Sequence, residues 1–216
     1  MSKVVLWGRA SSANVQKAVW ALEETGTTFI RTDVAGRFGG TDTPEFIAMN
    51  PNRLVPVLTH GDLTMWESHA IVRYVAAQFG TDTLWPNEPA ERAIIDQWTD
   101  WTATTFQPAW LRLFWTLVRT PEAQRDAAAI DAALEASVRA MRIMDAQLQK
   151  TAYLAGDDFS YADIVAGASL YRWFTMEIER PSMSGVEAWH ERLKQRPGFI
   201  KGVCVSYDEL VGRLAF

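Results

Sequence analysis

Ser11, Ser12 and Asn14 stand where a short apolar run, Val4 to Trp7, gives way to a helical pattern. Beyond the carboxyl end of a strand in an open α/β sheet lies the crevice where ligands bind, and the free N–H groups of the following helix stabilise an anion there. A serine at that point also serves as an N-cap. The two roles are compatible, because a hydroxyl can accept from the backbone and still donate to a ligand. Glu67-Ser68, at the start of a later helical stretch, has the same double meaning: an acidic first turn with a cap, or hydroxyl and N–H donors for a carboxylate. Pro56 interrupts the strand-like run Val55 to Leu58, where it removes a ladder donor and marks an edge or irregularity. From local sequence alone, Val55-Pro56 is expected to be trans.

Six aromatics, Trp98, Trp101, Phe106, Trp110, Phe114 and Trp115, crowd one helical stretch together with Arg112. Most are expected to be core, with some lining an apolar pocket for a small molecule. Trp110 and Phe114, four residues apart, share a helical face and are the choice for that pocket. Adjacent residues such as Phe114 and Trp115 point about 100° apart, which puts at least one of them in the core. Ser160-Tyr161-Ala162-Asp163 has the spacing of a capping box and is read as structural. His60, His69 and His190 show no metal-ligand spacing and read as surface or turn residues; no metal is expected. The single cysteine, Cys204, excludes an internal disulfide and any Cys-x-x-Cys centre, and reads as a small apolar residue. No phosphate-cradling glycine loop and no G-x-S-x-G nucleophile motif is present.

Positioning these groups requires two kinds of architecture. In the first part, Val4 to Trp7 reads as a strand, and Val15, Ala18, Val19 and Leu22 form a helical stripe closed by Gly26. Phe29 to Val34 reads as a strand and Pro44 to Met49 as a short helix capped by Thr43. A hairpin follows, with Val55 to Leu58 and Leu63 to Trp66 as its strands, and then a helix over Glu67 to Phe79. The order βαβαββα is that of a thioredoxin-like domain, residues 1–80. Gly80 to Pro89 reads as a linker. Residues 90–216 form an all-helical domain, with helices expected over Ala90 to Val118, Glu122 to Gln149, Ala162 to Thr175, Val186 to Gln195 and Ser206 to Leu214. The fold class is therefore a two-domain chain, α+β followed by all-α.

The 216 residues are 48% hydrophobic and 22% charged, which excludes disorder as the main state. A net charge of -5 gives no general electrostatic reason to bind nucleic acid. Val4 to Trp7 is too short for a signal-peptide core and no stretch has membrane-spanning length, so a cytoplasmic protein without membrane contact is expected.

Three segments in this order resemble the cytosolic glutathione transferase family, specifically bacterial members with a serine at the active-site turn. They are Trp7 to Val15, Asn50 to Leu58 and Trp66 to Tyr74. The resemblance implies glutathione as co-substrate on the first domain and an electrophile pocket built largely by the second. It implies that Ser12 donates its hydroxyl to the glutathione sulfur, with Ser11 as the alternative one residue away. It places Leu54 in the glutathione site, pairs the Val55 backbone with the cysteinyl unit, makes Pro56 a cis-proline, and assigns Glu67 and Ser68 to the γ-glutamyl end. No residue stands out to meet the glycyl carboxylate; Arg37 is the substitute. The implied activity is thiolate attack on small hydrophobic electrophiles, in a homodimer whose α-helix over Glu67 to Phe79 presents Arg73 and apolar neighbours to a two-fold axis. Peroxide or disulfide reduction by bound glutathione, or a non-catalytic scaffold, are the competing readings.

Overall fold

The computed structural model describes residues 2–215. Its sheet grows from β1 (Val4–Trp7), whose Val4 and Leu6 are buried. Gly8 follows with φ of 150°, and a Cβ there would lie 2.4 Å from the Val15 side chain. The strand can therefore turn into the next helix at this distance only over glycine. α1 (Ala13–Glu24) buries Val15, Ala18 and Leu22, the expected stripe.

β2 (Phe29–Thr32) pairs parallel to β1 over the full length of both strands. It ends two residues before the expected Val34 because β1 ends with it at Trp7↔Thr32; the Val34 carbonyl instead accepts the Arg9 N–H at 3.1 Å. In α2 (Pro44–Met49) the Thr43 hydroxyl accepts from the Phe46 N–H at 3.2 Å, as the sequence anticipated. β3 (Val57–His60) and β4 (Leu63–Trp66) form the hairpin, and Gly61 supplies the left-handed turn with φ of 59°. The first hairpin strand lies two residues later than expected. Val55-Pro56, a cis peptide, stays outside the ladder. β3 runs antiparallel to β1, giving the strand order β2-β1-β3-β4, and α3 (Ser68–Phe79) completes the thioredoxin-like βαβαββα series.

Among the described residues every named element beyond α3 is helical, with one isolated bridge, Tyr153↔Gly156, in a loop. The helix expected over Ala90 to Val118 is α4 (Pro89–Trp101) continued through a π-helical segment, Thr102–Phe106, into α5 (Gln107–Phe114) and a second π segment, Trp115–Arg119. Each wider turn shifts the side-chain register, as π-bulges do at functional sites. α6 (Ala127–Leu148) begins later than the expected Glu122 because Asp126 caps it, accepting from the Ala128 N–H at 2.9 Å. The single helix expected over Ala162 to Thr175 is broken into α7 (Tyr161–Gly167) and α8 (Leu170–Thr175). α9 (Ser184–Lys194) matches its expectation, and α10 (Pro197–Gly202) was not anticipated.

No long helix forms over Ser206 to Leu214, which contains only a 3-10 turn at Asp208–Leu210. The segment is held instead by Val118, whose carbonyl takes the Gly212 N–H at 2.9 Å, and by Arg119, which donates to the Arg213 carbonyl at 2.7 Å.

α1 joins the two halves. Trp20 is fully buried against α7 and α10, and a Cβ on Gly202 would come 2.8 Å from the Trp20 backbone nitrogen. With Lys17 also enclosed by His69 and Gln107, α1 buries residues all round, Gln16 included. At the start of α7 the Ser160 N–H and hydroxyl both donate to Asp163, at 2.9 and 3.1 Å. Leu154 N–H and Trp189 Nε1–H add two more donors to the same buried carboxylate.

Candidate active site

Ser12 is the half-buried N-cap of α1, and its hydroxyl makes no capping bond. Its carbonyl already accepts the first helical N–H, from Gln16 at 2.9 Å. The hydroxyl thus stands at the positive end of a twelve-residue helix without being used by that helix. Ser11 differs. It is buried, its hydroxyl donates to Glu209 and accepts from Arg9 Nε at 3.1 Å, and its carbonyl accepts from Arg172 at 2.6 Å.

Ser11 and Arg37 meet through Glu209, since Arg37 Nε lies 3.3 Å from the other Glu209 oxygen. Arg37 sits on the 3-10 turn Gly36–Phe38, largely exposed, with its guanidinium over the Phe38 ring. Leu54 is exposed, its carbonyl held by the Asn50 amide at 2.8 Å. Val55 and Pro56 follow on the same loop just ahead of β3. Glu67 has a positive φ of 71° and its side chain is exposed, while Ser68 is buried at the first position of α3.

A cavity of about 110 Å³ opens at Ser12, walled by Asn14, Gln107, Trp110, Phe114 and Arg172. Trp110 and Phe114 both line it, packed edge to face at 6.3 Å, and both are buried. Trp115, placed on another face by simple helical spacing, lines the cavity too, where the second π segment begins. A larger groove, about 780 Å³, lies at the opposite end of β1 beside Lys3, Phe29 and Phe79.

Two buried polar groups escaped sequence reasoning. Arg172, 2% exposed, lies 4.7 Å over the Phe114 ring, and burial lowers its pKa to about 10, with Tyr207 opposing and Arg9 and Arg119 adding to the fall. Lys17, also 2% exposed, contacts Asn14 Oδ1 at 3.1 Å, His69 Nε2 at 2.8 Å and the Gln107 carbonyl oxygen. Burial pushes its pKa down to about 7 against the attraction of Glu67. The available signal for Lys17 was its spacing of three from Asn14, which puts both on one face of α1.

The histidines are not the surface or turn residues expected of them. His60 ends β3 and pairs with the Tyr74 hydroxyl at 2.7 Å, His69 lies in α3 against Lys17, and His190 stacks on Phe174 at 4.2 Å. Arg73 lies 2.6 Å from Asp96 of α4 and is paired also with Asp100. Cys204 is half-buried, and burial raises its pKa. Among the described residues no cluster of His, Cys, Asp or Glu could hold a metal, and no helix is long and apolar enough to cross a membrane.

Residues 2–77 match the glutathione S-transferase N-terminal domain model, and residues 106–197 match the C-terminal domain model. Glutathione S-transferase GstB of Escherichia coli K12 is 38% identical over 94% of this chain and 98% of its own. Glutathione S-transferase F13 of Arabidopsis thaliana is 33% identical over 91% of this chain and 93% of its own. The theta class glutathione S-transferase of Xanthomonas axonopodis pv. citri, solved with glutathione bound, superposes with a TM-score of 0.91 at 48% identity. That match covers 95% of this chain and 99% of the solved one. The chain belongs to the glutathione S-transferase family. It is an enzyme of that transferase class, carrying a thioredoxin-like sheet domain and a helical domain.

Proposed function

We propose that the chain holds glutathione at the start of α1, ionises its thiol with the help of the Ser12 hydroxyl, and transfers the sulfur to small hydrophobic electrophiles. The observation that carries this reading is the Ser12 hydroxyl, unused by its own helix and opening on an aromatic cavity. A free thiol has a pKa of about 8.5, so reaching a thiolate near neutral pH needs a fall of about two units, roughly 2.7 kcal/mol. One charge-assisted hydrogen bond and the helix N-terminus together cover most of that. The thiol proton leaves to solvent, the sulfur forms a bond to the electrophilic carbon, and the leaving group departs.

In this reading Val55 pairs with the cysteinyl backbone and Glu67 and Ser68 receive the γ-glutamyl end. Arg37 faces the glycyl carboxylate. Ser11, whose hydroxyl is spent on Glu209 and Arg9, holds the turn rather than the sulfur. This division of labour supports a serine-type assignment. The two functional units divide at residues 80–89, into 1–80 and 90–216, and the protein acts as a cytoplasmic homodimer. Exposed Leu54, Leu63 and Trp66, apolar side chains from β4 and the loop before β3, support pairing of copies.

Calorimetry with glutathione, followed by turnover on paired aryl halide, epoxide, hydroperoxide and disulfide substrates, tests the reading. Binding with aryl or alkyl transfer supports it. Absence of binding at millimolar glutathione overturns it in favour of a scaffold, and turnover of disulfides or peroxides alone makes the enzyme a reductase.

A further inference from the structure

The side chains behind Ser12 fix the orientation of a neighbouring amide. Lys17 Nζ meets three acceptors, Asn14 Oδ1, His69 Nε2 and the Gln107 carbonyl oxygen. An ammonium carries three donors and no lone pair, so both amides must turn their oxygens to it and His69 must keep its proton on Nδ1. A neutral amine still has two donors for the two amide oxygens. With its oxygen held by Lys17, Gln107 turns its NH₂ the other way, and Nε2 donates to the same Asn14 Oδ1 at 3.2 Å.

Asn14 Oδ1 thus receives two donors, and its Nδ2 group is turned away from both. No protein acceptor takes Nδ2 among the described residues, and Asn14 shares with Ser12 the wall of the 110 Å³ cavity. The arrangement is rigid because Lys17 is fully enclosed and its partners come from three helices, α1, α3 and α5.

We propose that the Asn14 Nδ2–H is a second side-chain donor to the sulfur of bound glutathione, and that Lys17 is the positioning residue that sets this amide. The proposal rests on the reading that the sulfur lies at Ser12. A thiolate is a large acceptor that takes several donors at once, and donors already oriented need no reorganisation when the charge forms.

The test uses the full chain and reads the thiol pKa of bound glutathione from thiolate absorbance, alongside kcat and KM. Asn14→Asp keeps the oxygen that Lys17 and Gln107 hold but replaces the donor by an anion. It is expected to raise the bound thiol pKa by about one unit or more and to cut kcat at least about tenfold, with a smaller change in glutathione KM. Asn14→Ala should give a smaller shift of the same sign. Lys17→Met should reproduce the Asn14→Ala shift, and adding it to Asn14→Ala should give nothing further.

An unchanged thiol pKa in Asn14→Asp, with Ser12→Ala shifted, overturns the Asn14 donor and leaves the Ser12 reading standing. Equal Lys17→Met shifts with and without Asn14 overturn the positioning role. If Lys17→Met does not fold, Gln107→Met removes one of the two donors holding the amide and should give the same sign of shift. Failure of the wild-type chain to bind glutathione overturns both the site and this proposal.

Discussion

Arg172 of α8 donates to the carbonyl of Ser11 at 2.6 Å, so the helical half of the chain grips the turn that carries Ser12. The bond spans 161 residues of sequence and is made by a guanidinium lying over Phe114.

Arg172→Met should lower kcat/KM by about tenfold or more, because a charge-assisted bond contributes roughly 1.5 to 3 kcal/mol to holding the turn. Unfolding temperature should change less, since the variant also relieves the cost of burying a cation without a carboxylate beside it. Steady-state kinetics with thermal melts separate the two. Arg172→Lys should recover little, as an ammonium cannot reproduce the planar stacking.

Ser12→Ala should reduce turnover more than glutathione affinity and raise the pKa seen in kcat/KM by about one unit, or roughly 1.4 kcal/mol of thiolate stabilisation. Ser11→Ala should instead register in stability, having lost a donor to Glu209 and an acceptor for Arg9. The opposite pattern in the pH-rate profiles of the two variants would move the sulfur by one residue.

Asp163→Ala should cost about 3 to 5 kcal/mol in denaturant unfolding, because four buried donors lose one carboxylate. Burial pushes this carboxyl up to about 6 while those donors oppose the rise. A loss below about 1 kcal/mol would mean that the donors find other partners.

Lys17 gives stability a dependence on pH. Its folded pKa of about 7 lies below that of an unfolded lysine, so between about 7 and 10.4 the unfolded chain holds a proton that the folded chain lacks. Stability then rises with pH. Compared with Lys17→Met, the wild type should gain up to about 1.4 kcal/mol per pH unit in that window. A pH-independent difference between the two would place the lysine pKa near its ordinary value.

Much of the first domain was legible because its signals are local. The Val15, Ala18, Leu22 stripe, the Thr43 cap and the Gly61 hairpin each follow from a few neighbouring residues. The Ser12 turn was legible for the same reason, and the motif resemblance supplied what periodicity could not, including the cis Val55-Pro56 bond. What was missed depends on long-range packing. Lys17 lies on a helix face that reads as solvated until α3 and α5 cover it. Arg172 sits in an apolar stretch whose reason for holding a cation, the Ser11 carbonyl, is far away in sequence. The π segments leave little mark in a hydrophobic pattern, and they bring Trp115 to the wall already occupied by Phe114. The C-terminal segment was read as a helix because its pull toward Val118 and Arg119 is invisible locally.

The most direct measurement is the titration of the glutathione thiol in the binary complex, followed by thiolate absorbance in the wild type and in Ser12→Ala. The predicted result is a bound thiol ionising about two units below a free thiol, with roughly half of that shift lost in Ser12→Ala. A bound thiol that titrates like free thiol, or a full shift that survives the loss of the Ser12 hydroxyl, would contradict the account.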